Sequence, residues 1–202
     1  MTTENPKEIV NNILGQTPTE VEDLPIESDT DPCDQSPISA TEACNMLATI
    51  EGNGSYTQDG PSWSSAKGRY QFVKGTAVDQ IMKTQNVSSK DEAELLWDKC
   101  SQSSSPECKK LQDELCANYS KEIENSLARK GHALTSTNRY LAWNQGAGGA
   151  NVILTSASTG QPVTNPDILK NMQNQAWAFS SDGATYISNM QGYMAKKGVN
   201  LI

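Results

Sequence analysis

The acidic residues of this chain are concentrated near its N-terminal end. Of its 24 acidic and 16 basic residues, nine acidic residues and a single base, Lys7, lie within residues 1–40, so the acidic and basic residues of 41–202 balance. The first segment also contains five prolines, and an acidic stretch of this kind has too little apolar surface to fold by itself. We therefore expect an extended acidic arm over 1–40. Residues 41–202 have a length typical of one domain, about 100–200 residues.

Composition excludes two functional classes. No window approaches the ~20 consecutive apolar residues that a transmembrane helix needs, so we expect no membrane span. Neither part of the chain carries a basic stripe, so we expect no nucleic-acid binding. The chain starts Met-Thr-Thr-Glu-Asn-Pro, without the basic and apolar regions of a secretory signal peptide, and we expect no such leader unless it has been removed.

Helical patterns run through residues 41–202, with no convincing strand pair. Apolar residues recur every fourth position from Leu111 to Leu127, after Pro106 and before Gly131, which predicts a long helix. Similar start and stop signals predict helices over 41–50, 76–83, 89–100, 106–130, 136 or 137 to a glycine break at 146–149, 165–177, and from 183 onward. The predicted fold class is mainly α, with a long glycine- and serine-rich loop over 53–68.

The five cysteines leave the disulfide pattern open. Cys108 and Cys116 are about 12 Å apart along one helix, which is too far for a disulfide. A helical hairpin would bring Cys100 close to Cys108, so one alternative is a disulfide between them. A Cys33–Cys44 disulfide is another alternative, and five separate thiols are a third.

The single histidine argues against several kinds of active site. His132 follows Gly131 just past a helix end, where we expect it at the surface. Without a CxxC pair or a second histidine, the sequence predicts no zinc site, and no metal or other cofactor is implied. A Cys–His or Ser–His–Asp hydrolase would need a nucleophile motif that the chain lacks.

One glutamate stands at the predicted end of the first helix. Glu51 would meet the negative end of the helix dipole, beside the helix's apolar face. Both effects disfavour its charged form and raise its pKa, which suits a general acid near neutral pH. The alternative is that Glu51 is simply the last polar residue of an exposed helix.

Three segments in fixed order resemble the lysozyme-like lytic transglycosylases, which cut peptidoglycan glycan strands. The segments are Ile50-Glu51-Gly52, then Gly68-Arg69-Tyr70-Gln71 with Thr76-Ala77, then Ala142-Trp143-Asn144-Gln145-Gly146. The second also resembles the Gly-Arg-Tyr-Gln turn of lambdoid phage endolysins. The chain departs from the family at Gly52, where serine is frequent, and at Trp143, where tyrosine is usual. The motifs that carry the resemblance lie within residues 41–150.

The resemblance implies a goose-type lysozyme fold and a role for each matching residue. Glu51 would protonate the oxygen between MurNAc and GlcNAc and then accept the proton of the MurNAc 6-hydroxyl, giving a 1,6-anhydro product. Gln71 would hydrogen-bond the sugar, and Asn144 would orient Glu51 or the substrate. The cleft would be lined by Tyr70, Phe72 and Trp143, with Tyr140 supplying the hydroxyl that Trp143 lacks.

Alternatives to these site roles remain open. Gln71 would otherwise satisfy a turn, Asn144 would cap a helix, and the aromatic residues would be core. Asp59 would be the second carboxylate of a lysozyme-type hydrolase, or part of an ordinary Asp-Gly-Pro turn.

The implied partner is the peptidoglycan glycan strand. Because the substrate lies outside the cytoplasmic membrane, the location we expect is a phage virion, in its tail or internal core, with residues 1–40 docking to virion structural proteins. A periplasmic protein whose signal peptide is missing is the alternative. A catalytically inert virion protein and a glycan-binding module are the competing functions.

Overall fold

The structure, a computed structural model, describes residues 39–52, 54–62, 64–175 and 180–199. Seven helices form within these residues: α1 (Ala40–Glu51), α2 (Lys74–Thr84), α3 (Lys90–Cys100), α4 (Pro106–Arg129), α5 (Ser136–Thr159), α6 (Pro166–Asn174) and α7 (Gly183–Lys196). The prediction of a mainly α domain is confirmed, and isolated bridges at Lys67 are the only β pairing in the described part. The predicted arm lies outside the described residues, apart from its last two, Ser39 and Ala40, which begin α1.

Side-chain caps explain where most helices begin. At α1 the Ser39 hydroxyl accepts from the Glu42 amide, while the Glu42 carboxylate accepts from the Ser39 amide. This reciprocal pair satisfies amides that have no partner within the helix. The helix therefore begins at Ala40, capped by Ser39, one residue before the predicted start at 41. Ser89 and Ser105 cap α3 and α4 with their hydroxyls alone, which accept from the amides of Glu92 and Cys108.

The central helix α4 organises the core. It packs against α1, α2, α3 and α5, while α7 packs against α5. The predicted period-four residues Leu111, Leu115, Ile123 and Leu127 are all buried on it. This arrangement places the C-terminal end of α1 beside α4 and α5.

The three successive apolar residues Leu95, Leu96 and Trp97 of α3 differ in their exposure. Leu95 on α3 is 44% exposed, whereas Leu96 and Trp97 are buried. Three successive helical positions span about 200° around the axis, so they cannot all face the same neighbours.

Two disulfides fix the helices around α4. Cys44–Cys116 joins α1 to α4, and Cys100–Cys108 joins α3 to α4. The second pairing is one that the sequence allowed. The Cys33–Cys44 alternative is wrong, because Cys44 is already bonded to a cysteine 72 residues away.

The glycine run after Trp143 bends a helix without ending it. Gly146 adopts φ 70° and ψ 158°, which no α-helical residue shares, and α5 then continues to Thr159. The predicted helix end is therefore a kink. Thr135 caps α5, one residue before the predicted Ser136 or Thr137.

The last two helices begin where the sequence predicted. Asn165 caps α6 and Asp182 caps α7. Helix α6 ends at Asn174, and the predicted extension to Trp177 runs into residues 176–179, which are outside the described part. Among the described helices, none combines the length and the apolar character needed to cross a bilayer.

Candidate active site

The C-terminal end of α1 lies directly against the turn that follows the long loop. Glu51 is the last residue of α1. A Cβ at Gly52 would clash with the backbone carbonyl of Arg69, so the serine usual in the resembled family would not fit here. The departure at Gly52 thus has a local reason, since the glycine allows the turn to approach Glu51.

A cleft of about 280 Å³ opens beside Glu51. Five of the sequence-predicted residues line it together: Glu51, Gln71, Phe72, Trp143 and Asn144. Its other described lining residues include Tyr119, Val73 and Gln175. Residues from three distant parts of the chain therefore meet in one cleft.

Burial raises the pKa of the Glu51 carboxyl to about 7. The hydroxyl of Tyr140 donates a hydrogen bond to the carboxylate, and the charge of Lys197 acts on it; both lower the pKa and offset part of the effect of burial. The direction of the shift agrees with the sequence prediction, with desolvation as its main cause. Near neutral pH this carboxyl is present in both protonation states, as proton transfer in both directions requires.

The turn that carries Gln71 is backbone-strained. Gly68 has φ 79°, and Gln71 has φ 50°, which is uncommon for a residue with a side chain. The Gln71 amide nitrogen donates to the carbonyls of Gly68 (3.0 Å) and Gln58 (3.3 Å). The nitrogen thus serves the turn, as one alternative predicted, while the oxygen accepts from no described residue and is available to a ligand.

Two polar residues of α4, Gln112 and Asp113, hold this turn in place, and sequence reasoning missed both. Gln112 is fully buried; its amide oxygen accepts from the Arg69 amide at 3.0 Å, and its nitrogen donates to the carbonyls of Tyr56 and Cys100. Asp113 accepts from the hydroxyl of Tyr56. The sequence around these two residues does not indicate their role, because their partners are 12 to 57 residues away along the chain.

An aromatic cluster forms one wall of the cleft. The Trp143 ring lies 4.9 Å from Phe72 and 5.2 Å from Tyr119, between ring centroids. Phe72 is buried, whereas Trp143 and Tyr119 are partly exposed to the cleft. Trp143 is therefore part of the core and of the cleft surface at once. The sequence placed Tyr119 only on the apolar face of α4.

The two remaining predicted tyrosines lie behind the cleft. Tyr70 is 3% exposed and donates to Asp113 at 2.7 Å, and it is absent from the described lining. Tyr140 is 1% exposed and donates a hydrogen bond to Glu51 from behind the cleft. Any role of these two rings is therefore exerted through other residues.

Asn144 lies on α5 two residues before the kink. Its side-chain oxygen Oδ1 accepts from the side-chain amide of Gln145 at 2.7 Å and from the Tyr186 hydroxyl at 3.4 Å. Its hydrogen bonds within the described part do not reach Glu51, so its amide nitrogen is available to a ligand in the cleft.

Asp59 lies away from the cleft lining. Its side chain is 80% exposed and forms an ion pair with Lys67 at 3.7 Å. The backbone of Asp59 bridges to Lys67 as well, so it belongs to a small turn structure.

The described histidine and cysteines have partners outside the cleft. His132 bonds to Asn151 at 2.9 Å, and four of the five cysteines are in disulfides. The described part contains no group of three or more side chains able to hold a metal ion.

The site therefore contains one carboxyl of raised pKa, amide groups available to a ligand and an aromatic face. Such a set can transfer a proton to a bound polar ligand and stack against an apolar ring face. Comparisons with protein-family models, curated proteins and solved structures find no match to this chain.

Proposed function

We propose that this protein cleaves the β-1,4 bond between MurNAc and GlcNAc in peptidoglycan by a lytic transglycosylase mechanism. The observation that carries the proposal is Glu51, a single carboxyl in the cleft with its pKa raised to about 7. In the mechanism that the resemblance implies, one such carboxyl suffices, because the nucleophile belongs to the substrate. The motif order in the sequence and the meeting of these motifs in one cleft both favour this reading.

Glu51 acts twice in the proposed reaction. The protonated carboxyl gives its proton to the glycosidic oxygen as the bond from that oxygen to the MurNAc anomeric carbon breaks. The MurNAc 6-hydroxyl then attacks the same carbon and passes its proton to the Glu51 carboxylate. The enzyme returns to its starting state, and the product carries a 1,6-anhydro ring with no water added.

Neighbouring groups support both protonation states. Tyr140 and Lys197 stabilise the carboxylate that forms after the first step, while burial favours the acid before it. The exposed face of Trp143 suits stacking on a sugar ring, and the Gln71 oxygen accepts from a sugar hydroxyl or acetamido group.

The proposed setting is the bacterial cell wall. Two disulfides are typical of proteins that work in an oxidising compartment outside the cytoplasm. Delivery by a phage particle, with residues 1–40 as the docking segment, is the route that we propose.

Digestion of purified peptidoglycan, with products read by mass spectrometry, tests the proposal. We expect muropeptides about 18 Da lighter than hydrolysis products, one water being absent, and none with Glu51→Gln. Asp59→Asn is the matched control and should give wild-type products. Hydrated products that require Asp59 would instead indicate a lysozyme, and no cleavage by folded protein would contradict the enzyme proposal.

A further inference from the structure

One buried glutamine, Gln112 of α4, is hydrogen-bonded to three separate segments behind the cleft. Its side-chain oxygen accepts from the backbone amide of Arg69 at 3.0 Å. Its side-chain nitrogen donates to the backbone carbonyls of Tyr56 at 2.9 Å and Cys100 at 2.8 Å. A glutamine amide has two donor hydrogens, and here each has an acceptor. The side chain is therefore fixed in one orientation, with its oxygen towards the turn that contains Arg69.

That turn has a backbone conformation that needs support. Gly68 has φ 79° and Gln71 has φ 50°, and a Cβ at Gly68 would collide with the side-chain oxygen of Gln112. A residue with a side chain keeps such a conformation only where its surroundings impose it. Arg69 lies between Gly68 and Gln71, and the hydrogen bond from its amide ties the turn to α4. Gln112 is thus one of the contacts that impose the conformation of Gln71.

The turn in turn fixes the Gln71 side chain. The side-chain nitrogen donates to the carbonyls of Gly68 and Gln58, and the Gly68 amide donates to the same Gln58 carbonyl at 2.8 Å. Gln71 lines the cleft, whereas Gln112 is not among the described lining residues. Any effect of Gln112 on a ligand in the cleft must therefore be exerted through the turn and Gln71.

We propose that Gln112 is a positioning residue for ligand binding. Its hydrogen bond to the Arg69 amide holds the turn, and the turn holds the Gln71 side chain in the orientation in which its oxygen accepts from a ligand. The inference rests on the proposed function for the identity of that ligand, a glycan strand. The position of Gln71 itself can be measured without any ligand.

Hydrogen exchange of the Gln71 side-chain amide tests the inference directly. Gln112→Met keeps a side chain of similar length and removes all three hydrogen bonds. In the full-length protein, followed by nitrogen-15 NMR, the Gln71 amide hydrogens should exchange with water about three- to ten-fold faster than in wild type. Exchange at the wild-type rate would overturn the inference. Gln112→Asn, shorter by one methylene group, is the second variant if Gln112→Met does not fold, and the same result is expected.

A second buried glutamine provides the matched control. Gln80 on α2 is 1% exposed and donates to Glu122 at 2.9 Å, and it is not among the described residues of the cleft. Gln80→Met should also destabilise the protein but leave the exchange at Gln71 unchanged, with each variant measured equally far below its own unfolding midpoint. Equal acceleration in both variants would overturn the inference, because the effect would then follow from lost stability alone.

A conservative variant should restore the position of Gln71. Gln112→Glu keeps the oxygen that accepts from Arg69, and at pH 5 burial favours its neutral form, which keeps one donor. The exchange at Gln71 should then be slower than in Gln112→Met and close to wild type. Exchange as fast as in Gln112→Met would contradict a role exerted through the Arg69 amide.

Kinetics on solubilised glycan strands separate positioning from proton transfer. Gln112→Met should raise KM about three- to ten-fold, with kcat changed less than about two-fold and an unchanged pH profile, because Glu51 keeps its surroundings. Gln71→Ala should raise KM by a similar factor. The double variant should be no worse than Gln71→Ala, because both changes remove the same ligand contact. Multiplied losses in the double variant would overturn the inference.

The two measurements distinguish this inference from the proposed function. If wild-type protein cuts no strand, but exchange at Gln71 responds to Gln112→Met and not to Gln80→Met, the proposed activity fails and the positioning of Gln71 by Gln112 stands. If strands are cut and exchange at Gln71 does not respond to Gln112→Met, the inference is overturned and the proposed activity stands.

Discussion

Two carboxylates of this protein accept hydrogen bonds from tyrosines in contrasting surroundings. Asp113 lies exposed on α4 and accepts from Tyr56 at 2.9 Å and from Tyr70 at 2.7 Å. Glu51 lies at the cleft end of α1, where burial raises its pKa to about 7 despite one hydrogen bond from Tyr140.

Under the proposed function, Asp113 anchors a loop and Glu51 is the reactive group. A solvated carboxylate that receives two hydroxyls fixes the loop carrying them, and it keeps those donors occupied. A carboxyl taken out of water, with few donors around it, holds its proton near neutral pH and can give it to a ligand. The predictions below test whether the two sites differ in this way.

Replacing each acid by its amide should give the largest difference between the two sites, in the rate of peptidoglycan cleavage. Glu51→Gln should lower peptidoglycan cleavage at least about 10³-fold, since it removes the group that gives and takes the proton. Asp113→Asn should lower it less than about five-fold, because the amide oxygen still accepts from the tyrosines. Muropeptide release rates measure both, and equal losses would contradict the contrast.

Removing the disulfide between these two helices should give the next largest effect, on the free energy of unfolding. Cys44–Cys116 ties the Glu51 helix to the Asp113 helix across 72 residues. Replacing both cysteines by serine should lower the free energy of unfolding by about 4 kcal/mol, from loop entropy.

The second disulfide is the matched control for that measurement. Cys100–Cys108 closes a loop of only 8 residues, so the corresponding double variant should lose about 2.5 kcal/mol. Denaturant unfolding of both variants gives the comparison, and a larger loss for the short loop would contradict it.

The contribution of Glu51 to stability should depend on pH. The folded-state pKa of Glu51, about 7, lies above its ordinary 4.5, so folded protein holds more protons between these values and loses stability as pH rises. Glu51→Gln should therefore stabilise the protein at pH 8 by about 1–2 kcal/mol, with the cleft's solvent screening part of the full effect. At pH 4 it should change little.

Asp113→Asn provides the contrast in that experiment. It weakens charge-assisted hydrogen bonds, so it should destabilise the protein by about 1 kcal/mol at pH 8. Thermal unfolding at the two pH values measures both variants. If Glu51→Gln destabilised the protein at pH 8, the buried charge of Glu51 would not lower the free energy of unfolding, and the prediction would be contradicted.

The two hydroxyl donors should differ in their effect on the pH profile. Tyr140→Phe removes a donor that lowers the pKa of Glu51, so the pH above which cleavage falls should rise by about one unit, equivalent to about 1.4 kcal/mol. Tyr70→Phe should leave that pH unchanged and cost about 1 kcal/mol of stability. A profile that moves with Tyr70→Phe would contradict the assignment of Tyr70 to the anchor.

Much of the fold can be predicted from short stretches of sequence, because the start of a helix depends on a few adjacent residues. Ser89, Asn165 and Asp182 cap helices where predicted. The Cys44–Cys116 pairing and the exposure of Leu95 depend on which helix faces meet, and no local pattern contains that information.

The candidate site divides in the same way. Glu51, Gln71 and Trp143 were found because each stands in a short motif, and the structure brings them to one cleft. Gln112 and Lys197 were missed, since each acts on residues far along the chain and has no motif of its own.

The most direct test of the account is a titration of the Glu51 carboxyl by carbon-13 NMR, with Glu51→Gln used to assign the signal. The account predicts a midpoint near pH 7, rising in Tyr140→Phe. A midpoint near the ordinary 4.5 would leave Glu51 ionised at neutral pH and contradict its role as the acid.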